Sequence, residues 1–166
     1  MLDHKLLGIY LNDHLAGSTV GVELAKRAAK ENEGTDYGEP LARVTAEIEE
    51  DRDALQRLMG VLEVKRDHPK VLAGWVAEKL GRLKPNGQIL GYSPLSRLVE
   101  LETLALGITG KYSLWEALTE VAGEDARIDL EELKRLSERA DRQRKEVWQL
   151  RQRAAREAFA AQAPVP

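Results

Sequence analysis

Apolar residues recur at intervals of three and four over four long stretches of the chain, the period of an α-helix with one buried face. The second stretch, from about Pro40 to Leu62, reads Leu41, Val44, Ile48, Asp51, Leu55, Leu58, Leu62, an aliphatic heptad interrupted by one carboxylate. The first, from about Asp3 to Lys30, reads Leu7, Tyr10, His14, Gly17, Gly21, Leu24, Ala28 and breaks at its middle with a histidine. This pattern predicts that the two breaks face each other in one polar layer. Gly8, Gly17 and Gly21 each cost a helix about 1 kcal/mol relative to alanine. Two of them lie on the stripe, which predicts close approach of a neighbouring helix there.

The third stripe is Leu95, Leu98, Leu101, Ala105, Ile108, Tyr112, Trp115, opened by Ser93-Pro94 and carried to about Val121. Serine as cap and proline in the first turn are the expected start of a helix. Gly107, Gly110 and Ser113 mark a place for a kink. Asp129, followed three residues later by Glu132, resembles a capping box, and Leu130, Leu133, Leu136, Ala140, Val147, Leu150, Ala154 and Ala158 continue from it. This last helix would be ~48 Å long against ~35 Å for the second, so its end is expected to project beyond its neighbours.

The links between the four helices are short, long and short. The first, from Asn32 to Pro40, and the third, around Gly123-Glu-Asp-Ala-Arg, make antiparallel neighbours, whereas residues 63–93 can climb the height of the molecule and leave helices two and three parallel. That long link carries a predicted short amphipathic helix, starting at Asp67-His68-Pro69, running through Val71, Leu72, Trp75, Val76, Leu80 and Leu83, and ending before Pro85-Asn-Gly. The expectation is an all-α, up-down four-helix bundle with a long crossover, forming one domain over residues 1–162, with a disordered tail at 163–166.

Composition agrees with a bundle. Hydrophobic residues make up 43% and aromatics 5% of the 166 residues, with a single Phe, so the core is built from Leu, Val, Ile and Ala. The net charge of −3 gives no global reason to expect nucleic acid or an anionic membrane as partner. Cysteine is absent, which excludes disulfides, thiolate metal sites and cysteine nucleophiles. No apolar run approaches the ~20 residues of a membrane span, and the first residues do not form a signal peptide. A cytoplasmic protein is the expectation.

The phrases Tyr10-Leu-Asn-Asp-His-Leu-Ala-Gly17 and Ala46-Glu-Ile-Glu-Glu-Asp51 are similar to those of uncharacterised bacterial bundle proteins, and the chain resembles the ferritin-like four-helix bundle superfamily from about residue 4 to 160. Active members of that superfamily hold two metals with one Glu on each of two helices and a Glu-x-x-His pair on each of the others. This chain has three histidines, His4, His14 and His68, and the paired motif occurs nowhere. Oxidase, peroxidase and iron-storage chemistry therefore lose their main support.

Two readings of the polar layer follow. In the first, Asp51 accepts hydrogen bonds from His14, or from Ser18 and Tyr10, and fixes helix register, because a buried polar group left unpaired costs about 1–3 kcal/mol. In the second, His14, Glu47, Asp51 and Glu102 hold a divalent transition metal, iron, manganese or zinc; their types suit it, but one histidine specifies little. The first is preferred, so no catalytic residue and no cofactor is assigned.

The acidic run Glu47, Glu49, Glu50, Asp51, Asp53 finds a complement within the chain. Nine basic and three acidic residues lie between Lys134 and Arg156, so the last helix is expected to lie beside the second. Nucleic-acid binding by that basic helix is disfavoured by its scattered charges and few aromatics. Gly107-Ile-Thr-Gly-Lys111 lacks the spacing of a phosphate-binding loop. Trp75, Trp115 and Trp148 fall on apolar stripes. The leading reading is a non-enzymatic structural or interaction protein, homodimeric through the projecting last helix or the Ala- and Gly-rich faces. The alternative is a divergent metal-binding ferritin-like protein.

Overall fold

Proline, glycine and short polar side chains punctuate the chain where its helices begin and end, and the computed structural model, which describes residues 2–66 and 92–160, follows that punctuation closely. Helix α1 is His4–Glu31, α2 is Gly38–Val61, α3 is Pro94–Val121 and α4 is Leu130–Phe159, with a 3₁₀ turn at Ala122–Glu124. Three starts carry a side-chain cap: Asp3 accepts from the amides of Lys5 and Leu6, Ser93 from that of Ser96, and Asp129 from those of Glu131 and Glu132. The expected crossover helix, with His68 and Trp75, and the tail at 163–166 lie outside the described residues.

Burial of the apolar stripes puts α1 against α2 and α3, and α4 against α3 and α2. Two apolar clusters result. One joins Leu11 and Leu15 at the start of α1 to Leu55, Met59 and Leu62 at the end of α2, to Leu114, Trp115 and Leu118 at the end of α3, and to Leu133 and Leu136 at the start of α4. The other joins Val22, Leu24 and Ala25 to Leu41, Val44 and Ile48, to Leu98, Leu101 and Leu104, and to Val147 and Ala154. The end of α2 and the end of α3 thus share one cluster and their starts share the other, so these two helices run in the same direction.

The stripe on α2 is buried as its sequence predicts at Leu41, Val44, Ile48, Asp51, Leu55 and Leu62, with Leu58 half-buried. On α1 the predicted Leu24 and Ala28 are buried, beside Val22 and Ala25, but in the first half Leu11 and Leu15 take the core side and the predicted Tyr10 and His14 are only half-buried. The glycines are not points of close helix approach: a methyl group built on Gly17 or Gly21 meets nothing within 4 Å. The end of α4 does not project. Ala154 is fully buried, and Ala155 and Ala158 pack against the second cluster, leaving Phe159 as the exposed apolar residue at that end.

The link between α1 and α2 is held by Asn32, whose Nδ2 donates to the carbonyl of Ala28 at 2.8 Å and to the Tyr92 hydroxyl at 3.1 Å, while its Oδ1 accepts from Arg97 Nε at 2.6 Å. Gly34 turns the chain with φ +76°, and a Cβ on Gly38 would lie 2.7 Å from the Asn32 carbonyl oxygen. Gly38→Ala must displace backbone that Asn32 anchors, so it is expected to lower stability by about 1–3 kcal/mol in urea unfolding; an unchanged midpoint would show that the turn has room to give.

Candidate functional site

Three of the four helices break their apolar heptad at one level. On α2 the break is Asp51 in the series Ile48, Asp51, Leu55. On α3 it is Lys111 between Ile108 and Trp115, and on α4 it is Gln143 between Ala140 and Val147. These three side chains meet between the two apolar clusters. Asp51, only 1% exposed, accepts through Oδ2 from Lys111 Nζ and, at 3.3 Å, from Gln143 Nε2. Its Oδ1 accepts from Arg139 Nε at 2.7 Å and is ion-paired with Arg139 Nη2. Lys111 also donates to Gln143 Oε1, and Gln143 Nε2 donates to Glu47 Oε2 at 2.8 Å. Arg139 Nη1 reaches outward to Glu50 at 2.7 Å. Burial pushes the Lys111 ammonium below the usual lysine range, and the Asp51 carboxylate opposes that shift.

The layer is polar and buried, as the Asp51 break predicts, but its partners differ from those expected. Asp51 meets a lysine and an arginine from α3 and α4, not His14, Ser18 or Tyr10. The Ser18 hydroxyl donates to the Leu15 carbonyl on its own helix at 2.7 Å, and His14 sits edge-on to Tyr10 with ring centroids 4.6 Å apart. Burial holds His14 below its usual pKa, partly offset by Asp13. In this half of α1 the core side belongs to Leu11 and Leu15, which leaves Tyr10 and His14 half-buried beside it.

The residues considered for a metal do not form one donor set. Both Asp51 oxygens are taken by cations and Gln143, Glu47 accepts from Gln143, and Glu102, 42% exposed, pairs with Arg151 at 2.8 Å. Among the described residues no group of three or more His, Asp or Glu is arranged to hold a metal ion. A cation placed at Asp51 would have to displace a lysine and an arginine, so the donor chemistry does not fit the two-metal centre that the superfamily resemblance implies.

Above the layer, α1 and α3 part to form a cleft of about 460 Å³. Gly17 and Gly21 line one wall and Gly107 and Gly110 the other, and a Cβ on any of the four would stand in open space. Leu24, Leu104, Ile108 and Leu114 give the cleft an apolar interior, and Asp51 and Lys111 are part of its lining, as are His14, Arg52 and Trp115. A groove of about 530 Å³ between α2 and α4 is different in kind, walled by carboxylates and guanidinium groups of both signs, including Glu50, Arg57, Glu138 and Arg139.

Sequence reasoning missed a second buried carboxylate. Glu100 of α3 is 0% exposed, lies 3.0 Å from Arg27 and accepts from the Tyr92 hydroxyl at 2.8 Å. Burial raises its pKa, with Tyr92 and Arg27 opposing. The basic face of α4 is also largely spent within the molecule: Arg139 on Glu50 and Asp51, Arg151 on Glu102, Arg153 on Asp36 and Glu157, and Lys145 on Asp141. No helix among the described residues is long and apolar enough to cross a membrane. Family models, curated proteins and solved structures were each compared with the chain, and none of the three gives a match.

Two outcomes are expected. Asp51→Leu strands the buried Lys111 and costs about 3–5 kcal/mol, whereas in the double variant Asp51→Leu/Lys111→Met the loss is smaller than the sum of the two singles by roughly 1–3 kcal/mol in urea unfolding; additivity would mean the pair is not coupled. Glu100 binds its proton more tightly folded than unfolded, so its contribution to stability declines as pH rises from the ordinary glutamate value of 4.5 through its raised folded value. The stability of the native chain relative to Glu100→Gln should therefore fall over that window, and a difference that rises with pH would contradict the burial.

Proposed function

We propose that the protein is a non-enzymatic binding bundle, in which the Asp51–Lys111 layer holds the helices in register and the α1/α3 cleft receives a small, largely apolar molecule. The shared direction of α2 and α3 supports the ferritin-like course of the chain.

The observation that carries this reading is the pair of glycine walls. Four helical glycines, each costing about 1 kcal/mol of helix propensity, border the cleft without a close-packed neighbour, Gly21 and Gly110 half-buried in its lining and Gly17 and Gly107 exposed at its rim. Their effect is to keep a volume empty. Pockets for drug-sized molecules span about 300–1,000 Å³ and are mostly apolar with a few polar groups, and the cleft's 460 Å³ with its aliphatic interior and one buried ion pair fits that description.

The neutral apolar dye Nile red tests it. Its fluorescence is expected to rise and saturate on titration with the native chain, and to do so far less with Gly107→Leu. The new side chain enters open space and replaces a helical glycine, so the variant is expected to fold at least as stably as the parent. Equal dye binding by the two proteins would remove the cleft as the binding place.

A further inference from the structure

The charges that border the cleft cancel. Asp13 and Asp51 are the acidic residues of its lining, Arg52 and Lys111 the basic ones. Asp51 is answered by Lys111 and Arg139, Arg52 has Asp53 at 3.8 Å, and Asp13 lies exposed at the rim. Beyond the lining, Glu50 takes the other side of Arg139 and Glu47 that of Gln143. A charged head group entering this space would give up its water and meet no unpaired ion of the opposite sign, and an uncompensated charge is what an apolar interior tolerates least.

What the lining leaves unpaired is neutral. His14 and Ser18 both border the cleft and stand one turn apart on one face of α1. The half-buried His14 ring meets Tyr10 edge-on, and its nitrogens have no hydrogen-bond partner among the described residues. Burial holds this imidazole below its usual pKa, so at about pH 7.5 it is neutral, with one N–H donor and one bare nitrogen acceptor. The Ser18 hydroxyl spends its proton on the Leu15 carbonyl and keeps its oxygen as an acceptor. A hydroxyl both gives and takes a hydrogen bond and so suits this set, whereas a ketone only accepts, and a carboxylate or ammonium brings a charge. Leu24 follows His14 on α1 by about 15 Å of helix, which sets an aliphatic end of the cleft apart from this polar one.

We infer that the α1/α3 cleft takes a neutral aliphatic alcohol, its chain among Leu24, Leu104 and Ile108 and its hydroxyl held by His14 and Ser18. This rests on the reading of the cleft as a small-molecule site and adds the chemistry of the ligand's polar end.

Probes with the same eight-carbon chain separate the two claims on the native protein: octan-1-ol, octan-2-one, octanoate and octylammonium, titrated by calorimetry at about pH 7.5, below their aggregation concentrations. Octan-1-ol is expected to bind about fivefold more tightly than octan-2-one, the worth of one added hydrogen bond, and at least about tenfold more tightly than either ion. At saturation with octan-1-ol the ring nitrogen resonances of His14 should move; resonances that stay in place would overturn its role in holding the hydroxyl. Equal affinity for the alcohol and the ketone would overturn the hydroxyl assignment, and tighter binding of octanoate or octylammonium would overturn the preference for a neutral ligand, each leaving the apolar site standing. Failure of all four to bind would overturn both claims. His14→Phe keeps a ring beside Tyr10 and removes both nitrogens, so the alcohol and the ketone are expected to bind it alike. A preference for octan-1-ol that survives in this variant would overturn the placement of the hydroxyl on His14.

Discussion

Three of the four described helices are held to one another by a single buried carboxylate and the cations that reach it. Asp51 sits at a heptad position that belongs to the core, and α3 and α4 each give up an apolar heptad position at the same level to supply Lys111 and Gln143. The apolar core is split in consequence, with one cluster on each side of the layer. Such a layer is a poor source of stability, because desolvation of the ions offsets most of their attraction. What it supplies is register. A slip of α2, α3 or α4 by a turn would pull apart Asp51 and the groups that pair it, and an unpaired buried charge costs about 3–5 kcal/mol. Two leucine-rich clusters without a polar layer would tolerate that slip far better.

The same layer explains why α2 and α4 face each other across long polar side chains. Arg43 reaches Glu146, Arg139 reaches Glu50, and Gln143 reaches Glu47. The acidic run on α2 and the basic run on α4 are thus the two sides of one seam. Exposed pairs of this kind contribute little each, about 0–1 kcal/mol. The inner contacts, where Arg139 and Gln143 meet Asp51, belong to the buried layer and fix the spacing.

Helix ends and the α2 seam were legible in the sequence because their causes are local. Asp3, Ser93 and Asp129 cap as short polar side chains do, and a strict aliphatic heptad has one buried face. The α1 seam was legible only in its second half, where Leu24 and Ala28 are buried; in the first half Leu11 and Leu15 compete with Tyr10 and His14 on an adjacent face, and only tertiary packing decides between them. Lys111 and Gln143 carried a readable signal, a polar residue at the heptad position between Ile108 and Trp115 and between Ala140 and Val147. It was hidden because lysine and glutamine on a charged helix pass for surface. Glu100 carried no such signal: its partners Arg27 and Tyr92 come from α1 and from the residues before α3, and no spacing within one helix announces a contact of that kind.

Glycine in the middle of a helix is usually kept for one of two reasons, close approach of a neighbour or space for something else. The half-buried positions at Gly21 and Gly110 speak for the second, because a close-packed helix would stand where their missing methyl groups would be, and the exposed Gly17 and Gly107 continue the same two walls to the rim. These four residues weaken α1 and α3 at the height of the buried ion pair, and Leu106 remains 74% exposed beside them. A bundle shaped by stability alone would replace each glycine with alanine and gain from it. Keeping a hydrophobic volume open over a lysine held in place by Asp51 and Gln143 costs stability at every one of these positions. Such a cost is understandable where the open volume is what the protein uses, with the rigid layer beneath it holding the polar groups in position.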